Sequence, residues 1–241
     1  MKKIDIVIVP NLRSSHEKLS EFILKSNYDV LFLNFPRFLN SLIRDFSLNK
    51  IKYDEFMNKI SKIIPEYTNS WLYINEPIIK ILNKVNSEVY CYLEEFDKIM
   101  ENSIKIATLT LRSRITNKIN LKEWLEVLEK SIIDMESIVE FITIKSYGKS
   151  LCIIELSAWK LAKRLRELGF DVKIKSIERI HYLKPLEILY VLLEKGKLNE
   201  KLAEELIKEH IRFIYDFVIT HENIDKAYFS WINQTGKFLI I

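Results

Sequence analysis

Residues Ile4–Asn34, IDIVIVPNLRSSHEKLSEFILKSNYDVLFLN, decide the fold. Ile4–Val9 is apolar apart from Asp5 and alternates poorly, the pattern of a central parallel strand covered on both faces. Ser14 and Glu17 have the spacing of a capping box, which predicts a helix start. Leu19, Phe22 and Ile23 then form one helical face. Asn27-Tyr28-Asp29 turns the chain into a second strand, Val30–Asn34. A strand, a helix and a strand at this separation predict a right-handed crossover between parallel strands.

The alternation continues downstream. From Phe35 to Val85 the apolar spacing is helical, with Phe38, Leu39, Leu42, Ile43 and Phe46 on one helix. Asp54 opens a second, with Phe56, Ile60, Ile63 and Ile64 inward. Pro77 suits the first turn of a third. Glu88–Leu93 reads as the third strand and Phe96–Ile115 as a helix. Asn120-Leu121-Lys122-Glu123 is another capping box, opening one long helix that carries Trp124, Leu128, Met135 and Ile142 as a core stripe. Leu151–Ile154 is the fourth strand, Ser157 caps a helix that Gly169 ends, and Val172–Ile177 is the fifth strand. Pro185 begins a helix stopping at Gly196, followed by helices near Asn199–Thr220 and Ile224–Asn233. Phe238–Ile241 reads as a short edge strand or packed tail. The expectation is an α/β fold: a Rossmann-like, mostly parallel sheet of about five strands with Ile4–Val9 central. One domain spans residues 1–241, with a helical insertion at 35–87 and a helical C-terminal tail at 184–236.

Composition narrows the function. The 241 residues are 48% hydrophobic and 29% charged, a globular balance. With 4 Gly and 5 Pro, neither G-x-G-x-x-G nor a Walker A loop is present, which removes the dinucleotide and P-loop readings. A net charge of +4 is too mild to call for a nucleic-acid partner. Lys160, Lys163 and Arg164 share a helix side, which reads as a solvated face. Cys91 and Cys152 fall inside strands and read as buried small hydrophobes, and no Cys/His spacing fits a metal. The opening residues lack a signal-peptide core, since Asp5 interrupts a short run. No apolar stretch approaches the roughly 20 residues of a membrane span. A reduced cytoplasmic protein is expected, and the Lys, Glu and Ile richness suggests an AT-rich archaeal or thermophilic source. No cofactor is specified.

Polar groups gather just past the carboxyl ends of the strand-like runs, the edge where ligands bind in open α/β sheets. His16 follows the first strand and could act as a base or proton shuttle. Glu95 and Asp97 follow the third strand beside Glu94, and Glu155 ends the fourth. These four, His16, Glu95, Asp97 and Glu155, are the candidate catalytic residues. Arg13, Asn34, Arg37, Arg112, Arg179 and His181 are the candidate ligand contacts. His210 and His221 read as structural.

The segment order resembles the TraB/ChaN-like superfamily, which also holds erythromycin-esterase-like proteins. The first strand with His16 looks like that group's opening "strand, G-x-x-H" segment. Tyr28–Pro36 looks like its "P-D-V-V-x-x-E-L-P" strand, Leu151–Val172 like its "V-V-G-x-x-H" segment, and Lys184–Leu189 like its "PL-x-x-L" tail. Arg13 stands where the first Gly would be, Asn34 at the acidic position, and Glu155 and Ala158 at the second Gly and His. The resemblance implies a Rossmann-like fold with a helical insertion. With the second His and the acidic residue replaced, it implies a divergent, non-catalytic member that binds a small ligand or partner protein. A hydrolase or metal-dependent enzyme using His16 and the carboxylates is the alternative. A nucleic-acid or nucleotide-signal binder using Arg13, Arg37, Arg112, Arg114 and Arg179 is the third reading. The apolar stripe of Asn199–Trp231, with Phe213, Phe217, Phe229 and Trp231, predicts a homodimer through the tail.

Overall fold

The computed structural model describes residues 2–63, 69–94 and 96–235. In chain order its strands are Lys3–Ile8 (β1), Val30–Pro36 (β2), Glu88–Leu93 (β3), Lys149–Ile154 (β4) and Asp171–Ser176 (β5). Its α-helices are Arg13–Leu24 (α1), Asn40–Ser47 (α2), Tyr53–Ile63 (α3), Asn69–Ile79 (α4), Phe96–Thr116 (α5), Leu121–Lys130 (α6), Met135–Lys145 (α7), Ala158–Glu167 (α8), Pro185–Glu194 (α9), Glu200–Arg212 (α10) and Ile224–Thr235 (α11). The five expected strands are present, each shifted by no more than a few residues. Ile64, Glu95 and Phe238–Ile241 lie outside the described residues.

The chain forms two compact units, Met1–Glu94 with Asp134–Arg179 and Glu95–Ile133 with Ile180–Ile241. The single-domain reading did not anticipate this division. The expected helical insertion at 35–87 belongs with the sheet unit, and the expected tail joins residues 95–133 in the other.

The first unit holds an all-parallel, Rossmann-like sheet in the order β3-β2-β4-β1-β5. β1 is interior, but β4 takes the middle place that the sequence reading gave to Ile4–Val9. The chain passes over β4 on its way from β1 to β2, and over β1 from β4 to β5. Ile6 pairs with Cys152 on one side and Ile174 on the other. The strand period of two sorts the side chains into two apolar layers. Val7, Leu31, Leu33, Cys91, Leu151 and Ile153 pack with α1 to α4. Ile4, Ile6, Phe32, Tyr92, Cys152 and Ile154 pack with α7 and α8. The two cysteines are buried in opposite layers, where burial pushes both thiols up.

Helix ends depart from the sequence reading in informative ways. Leu12, not Ser14, is the N-cap of α1, and Glu17 pairs with Arg13 at 3.2 Å rather than closing a box. Asp54 sits inside the first turn of α3. Pro77 lies near the end of α4, not at its start. A proline there removes the N–H that would meet the carbonyl of Tyr73. Arg13 Nη1 donates to that carbonyl at 2.6 Å, so a side chain from α1 replaces the missing helix bond. The predicted long helix after Asn120 is two helices. Asn120 caps α6 by accepting from the Glu123 N–H, and Asp134 caps α7 by accepting from the Glu136 N–H. A second cap restarts the helix, and the Trp124, Leu128, Met135, Ile142 stripe divides between the two units.

Gly148 makes the turn into β4 at φ +52, where a Cβ would stand 2.1 Å from Asp29 Oδ2, which accepts from the Lys149 N–H at 2.7 Å. Gly169 has φ +83 with nothing within 4 Å. Gly148→Ala is therefore expected to lower stability by about 3 kcal/mol and Gly169→Ala by about 1 kcal/mol, since only the first adds a clash to left-handed strain. Urea denaturation of both variants measures the gap; equal losses would mean that Asp29 moves freely aside.

In the second unit Trp124, Leu128, Leu189, Ile207, Phe213, Phe217, Tyr228 and Trp231 are buried. Residues Phe213–Val218 form a π-helical stretch after α10, and Phe213 meets Trp231 edge-on at 5.3 Å. Most tail aromatics that suggested a partner surface thus form the unit's own core, while Phe229 and Ile219 are exposed.

Candidate functional site

The connections leaving β1 and β4 diverge. α1 packs on one face of the sheet, through Leu19 and Ile23, and α8 on the other, through Ala158, Leu161 and Leu165. β1 and β4 are neighbours. Their carboxyl ends therefore form a topological switch point, the place where ligands bind in open α/β sheets.

Two expected site residues meet beside it, at the carboxyl ends of the neighbouring strands β2 and β4. Asn34 sits where the β2 register shifts between Leu33 and Pro36, and its Nδ2 donates to Glu155 Oε1 at 3.1 Å. Ser157 follows with φ +61, a left-handed conformation unusual for a residue with a Cβ. It is the N-cap of α8 without a side-chain cap bond. His16 is buried, at 2% exposure, in the first turns of α1. Its Nδ1 lies 2.9 Å from the Leu12 carbonyl, so Nδ1 carries the proton and donates. In the neutral ring Nε2 then carries the lone pair.

The other candidates have structural partners or lie apart. Arg13 donates to Tyr73 and Glu76, at 2.7 Å to the latter. Glu76 also meets Lys80 and Tyr53. Lys80 and Arg13 hold the Glu76 carboxyl at about 2 against a partial burial penalty, and burial beside Glu76 pushes Tyr53 up to about 12. Arg37 donates to the Tyr92 carbonyl, Glu94 and Ser137 at 2.8–3.2 Å and lies 4.3 Å over the Phe141 ring. It ties the ends of β2 and β3 to α7. Arg179 is exposed.

Asp97, Arg112 and His181 belong to the second unit. Asp97 is exposed in the first turn of α5. Arg112 pairs with Glu123, and Arg114 lies over the Tyr215 ring. His181 Nδ1 is 2.9 Å from the Tyr228 hydroxyl and its ring stacks on Tyr228. Glu187 accepts from the Lys184 N–H at 2.8 Å and pairs with its ammonium at 2.9 Å. Burial would raise the Glu187 carboxyl, but Lys184 and His181 override it and hold it at about 2. Of the basic stripe on α8, Arg164 is taken by Glu136 and Glu167. Glu95 lies outside the described residues.

Among the described residues no group of three or more His, Cys, Asp or Glu is placed to hold a metal ion, and no helix is long and apolar enough to cross a membrane. No family model, curated protein or solved structure matches this chain.

Sequence reasoning missed the polar cluster in the α1 layer. Tyr28 and Lys175 both donate to Asp5 Oδ2 at 2.7 Å. Burial works to raise the Asp5 carboxyl, but these donors hold it below the usual range, and burial with Asp5 pushes the Tyr28 hydroxyl up. Ser15 and Lys18 likewise converge on Glu178 at 2.7–3.0 Å. The available signal was Asp5 itself, a carboxylate within a strand-like run that requires buried partners.

Proposed function

We propose that this chain is a divergent, non-catalytic TraB/ChaN-like protein that binds a small ligand outside the carboxyl ends of β2 and β4. The observation carrying this reading is the Asn34–Glu155 hydrogen bond, which brings an amide and a carboxylate from two different strands together at the carboxyl edge of the sheet. A small molecule with its own donor and acceptor can exchange with that pair. Asn34 has no acid–base function, and it stands where the resembled family carries its acidic residue. A hydrolase would draw on the fixed tautomer of His16, whose buried lone-pair nitrogen suits a general base.

A metabolite panel screened by thermal shift identifies the ligand. Asn34→Ala is expected to weaken its binding by roughly tenfold or more, since the ligand loses its contact with the Asn34 amide. His16→Gln is expected to leave affinity near the wild-type value. Unchanged binding in Asn34→Ala would overturn the assignment of the site, and turnover abolished by His16→Gln would establish the hydrolase.

A further inference from the structure

A second opening lies on the other side of β1 from β4 and β2. A cavity of 540 Å³ runs between α1 and the edge strand β5, lined by Val7, Lys18, Phe22, Lys175, Ser176 and Ile177. Its volume falls within the range of about 300–1,000 Å³ of small-ligand pockets. Val7, Phe22 and Ile177 provide an apolar lining, and Lys18 and Lys175 provide two ammonium groups. Each ammonium is anchored by a carboxylate that is not part of the lining. Lys175 reaches Asp5, which is 7% exposed, at 2.7 Å, and Lys18 reaches Glu178 at 2.7 Å. Lys175 also lies 5.4 Å over the Phe22 ring. Lys18 meets both Glu178 oxygens at 2.7–3.0 Å, and Lys175 meets Asp5 at 2.7 Å and the Tyr28 hydroxyl at 3.4 Å, so two of the three N–H donors of each ammonium hold it in place and the third can serve a ligand.

We propose that this cavity binds a small organic carboxylate with an aliphatic or single-ring body. The body covers Val7, Phe22 and Ile177, and the carboxylate accepts from Lys18 and Lys175. The site is separate from the Asn34–Glu155 pair, so either can fail without the other.

Isothermal titration of the full chain with octanoate and 4-phenylbutyrate, each against its neutral amide, tests this. The carboxylates are expected to bind at least tenfold more tightly than the amides, and more weakly as salt rises. Lys18→Met, at an exposed lysine, is expected to reduce carboxylate affinity by about tenfold, and Ile177→Trp, which adds bulk at a half-buried lining position packed on the α1 layer, to abolish it. Asn34→Ala is expected to leave it unchanged. The proposal is overturned if neither carboxylate binds up to about 10 mM, if the amides bind equally well, or if Ile177→Trp binds as the wild type does.

Discussion

Arg13→Met is expected to lower the unfolding free energy of the sheet unit by about 3 kcal/mol, and Pro77→Ala to restore part of that loss. The guanidinium makes two contacts whose removal is costly. It satisfies the Tyr73 carbonyl that Pro77 leaves without an N–H, and it pairs with Glu76, whose side chain is 27% exposed. An orphaned acceptor costs about 1–3 kcal/mol, and a partly buried carboxylate stripped of one cation adds to that. Glu76 keeps Lys80 and Tyr53, which limits the second contribution. An alanine at position 77 supplies the missing N–H, so the double variant should recover about 1 kcal/mol relative to additivity. Urea denaturation of the four-member cycle reads this directly. Additive losses would show that the Tyr73 carbonyl does not depend on Arg13.

Lowering the pH from 6.5 to 4 is expected to remove about 3 kcal/mol from the helical unit through His210. Burial holds the His210 ring neutral, with its pKa lowered from 6.5 to about 4, and the nearby Lys184 charge adds to the effect. In the unfolded chain the ring takes up a proton as the pH falls below 6.5, while in the folded chain it does so only near 4. The unfolded state binds more protons through this window, so stability present above pH 6.5 is lost as the pH falls. Glu187, held at about 2, contributes in the same direction but between its ordinary value of 4.5 and 2, and Glu76 does the same in the sheet unit. The upper part of the acid slope is therefore assigned to His210. His210→Gln should flatten the change between pH 6.5 and 4.5 in denaturant titrations, followed by tryptophan fluorescence because Trp124 lies 6.0 Å from the imidazole. A slope unchanged by that substitution would place the titrating group elsewhere.

The site was partly legible. Glu155 ends an apolar strand, and a carboxylate in that position requires a partner. One partner is Asn34, which the sequence marked for the ligand edge but could not connect across 121 residues. Arg13 and Arg37 looked like ligand contacts because they follow strand ends. Both serve the fold, since strand ends also border helices with carbonyls and carboxylates to satisfy. Asp97 and Arg112 looked like neighbours of the sheet edge because they follow β3 in the chain. The chain leaves the first unit at Glu94, and nothing in the local pattern marks that departure.

The sequence by itself determined the alternation of strands and helices, the parallel sense of the sheet and most of the buried positions. Those follow from side-chain periodicity and caps, which act within a few residues. The tertiary structure alone decided that β4 lies in the middle, that one helical pattern breaks into α6 and α7 in different units, and which polar groups meet. Periodicity specifies that a face is covered, not what covers it. Strand order and polar pairing depend on crossings between distant segments, where each buried donor or acceptor takes the partner that the packed sheet brings within reach.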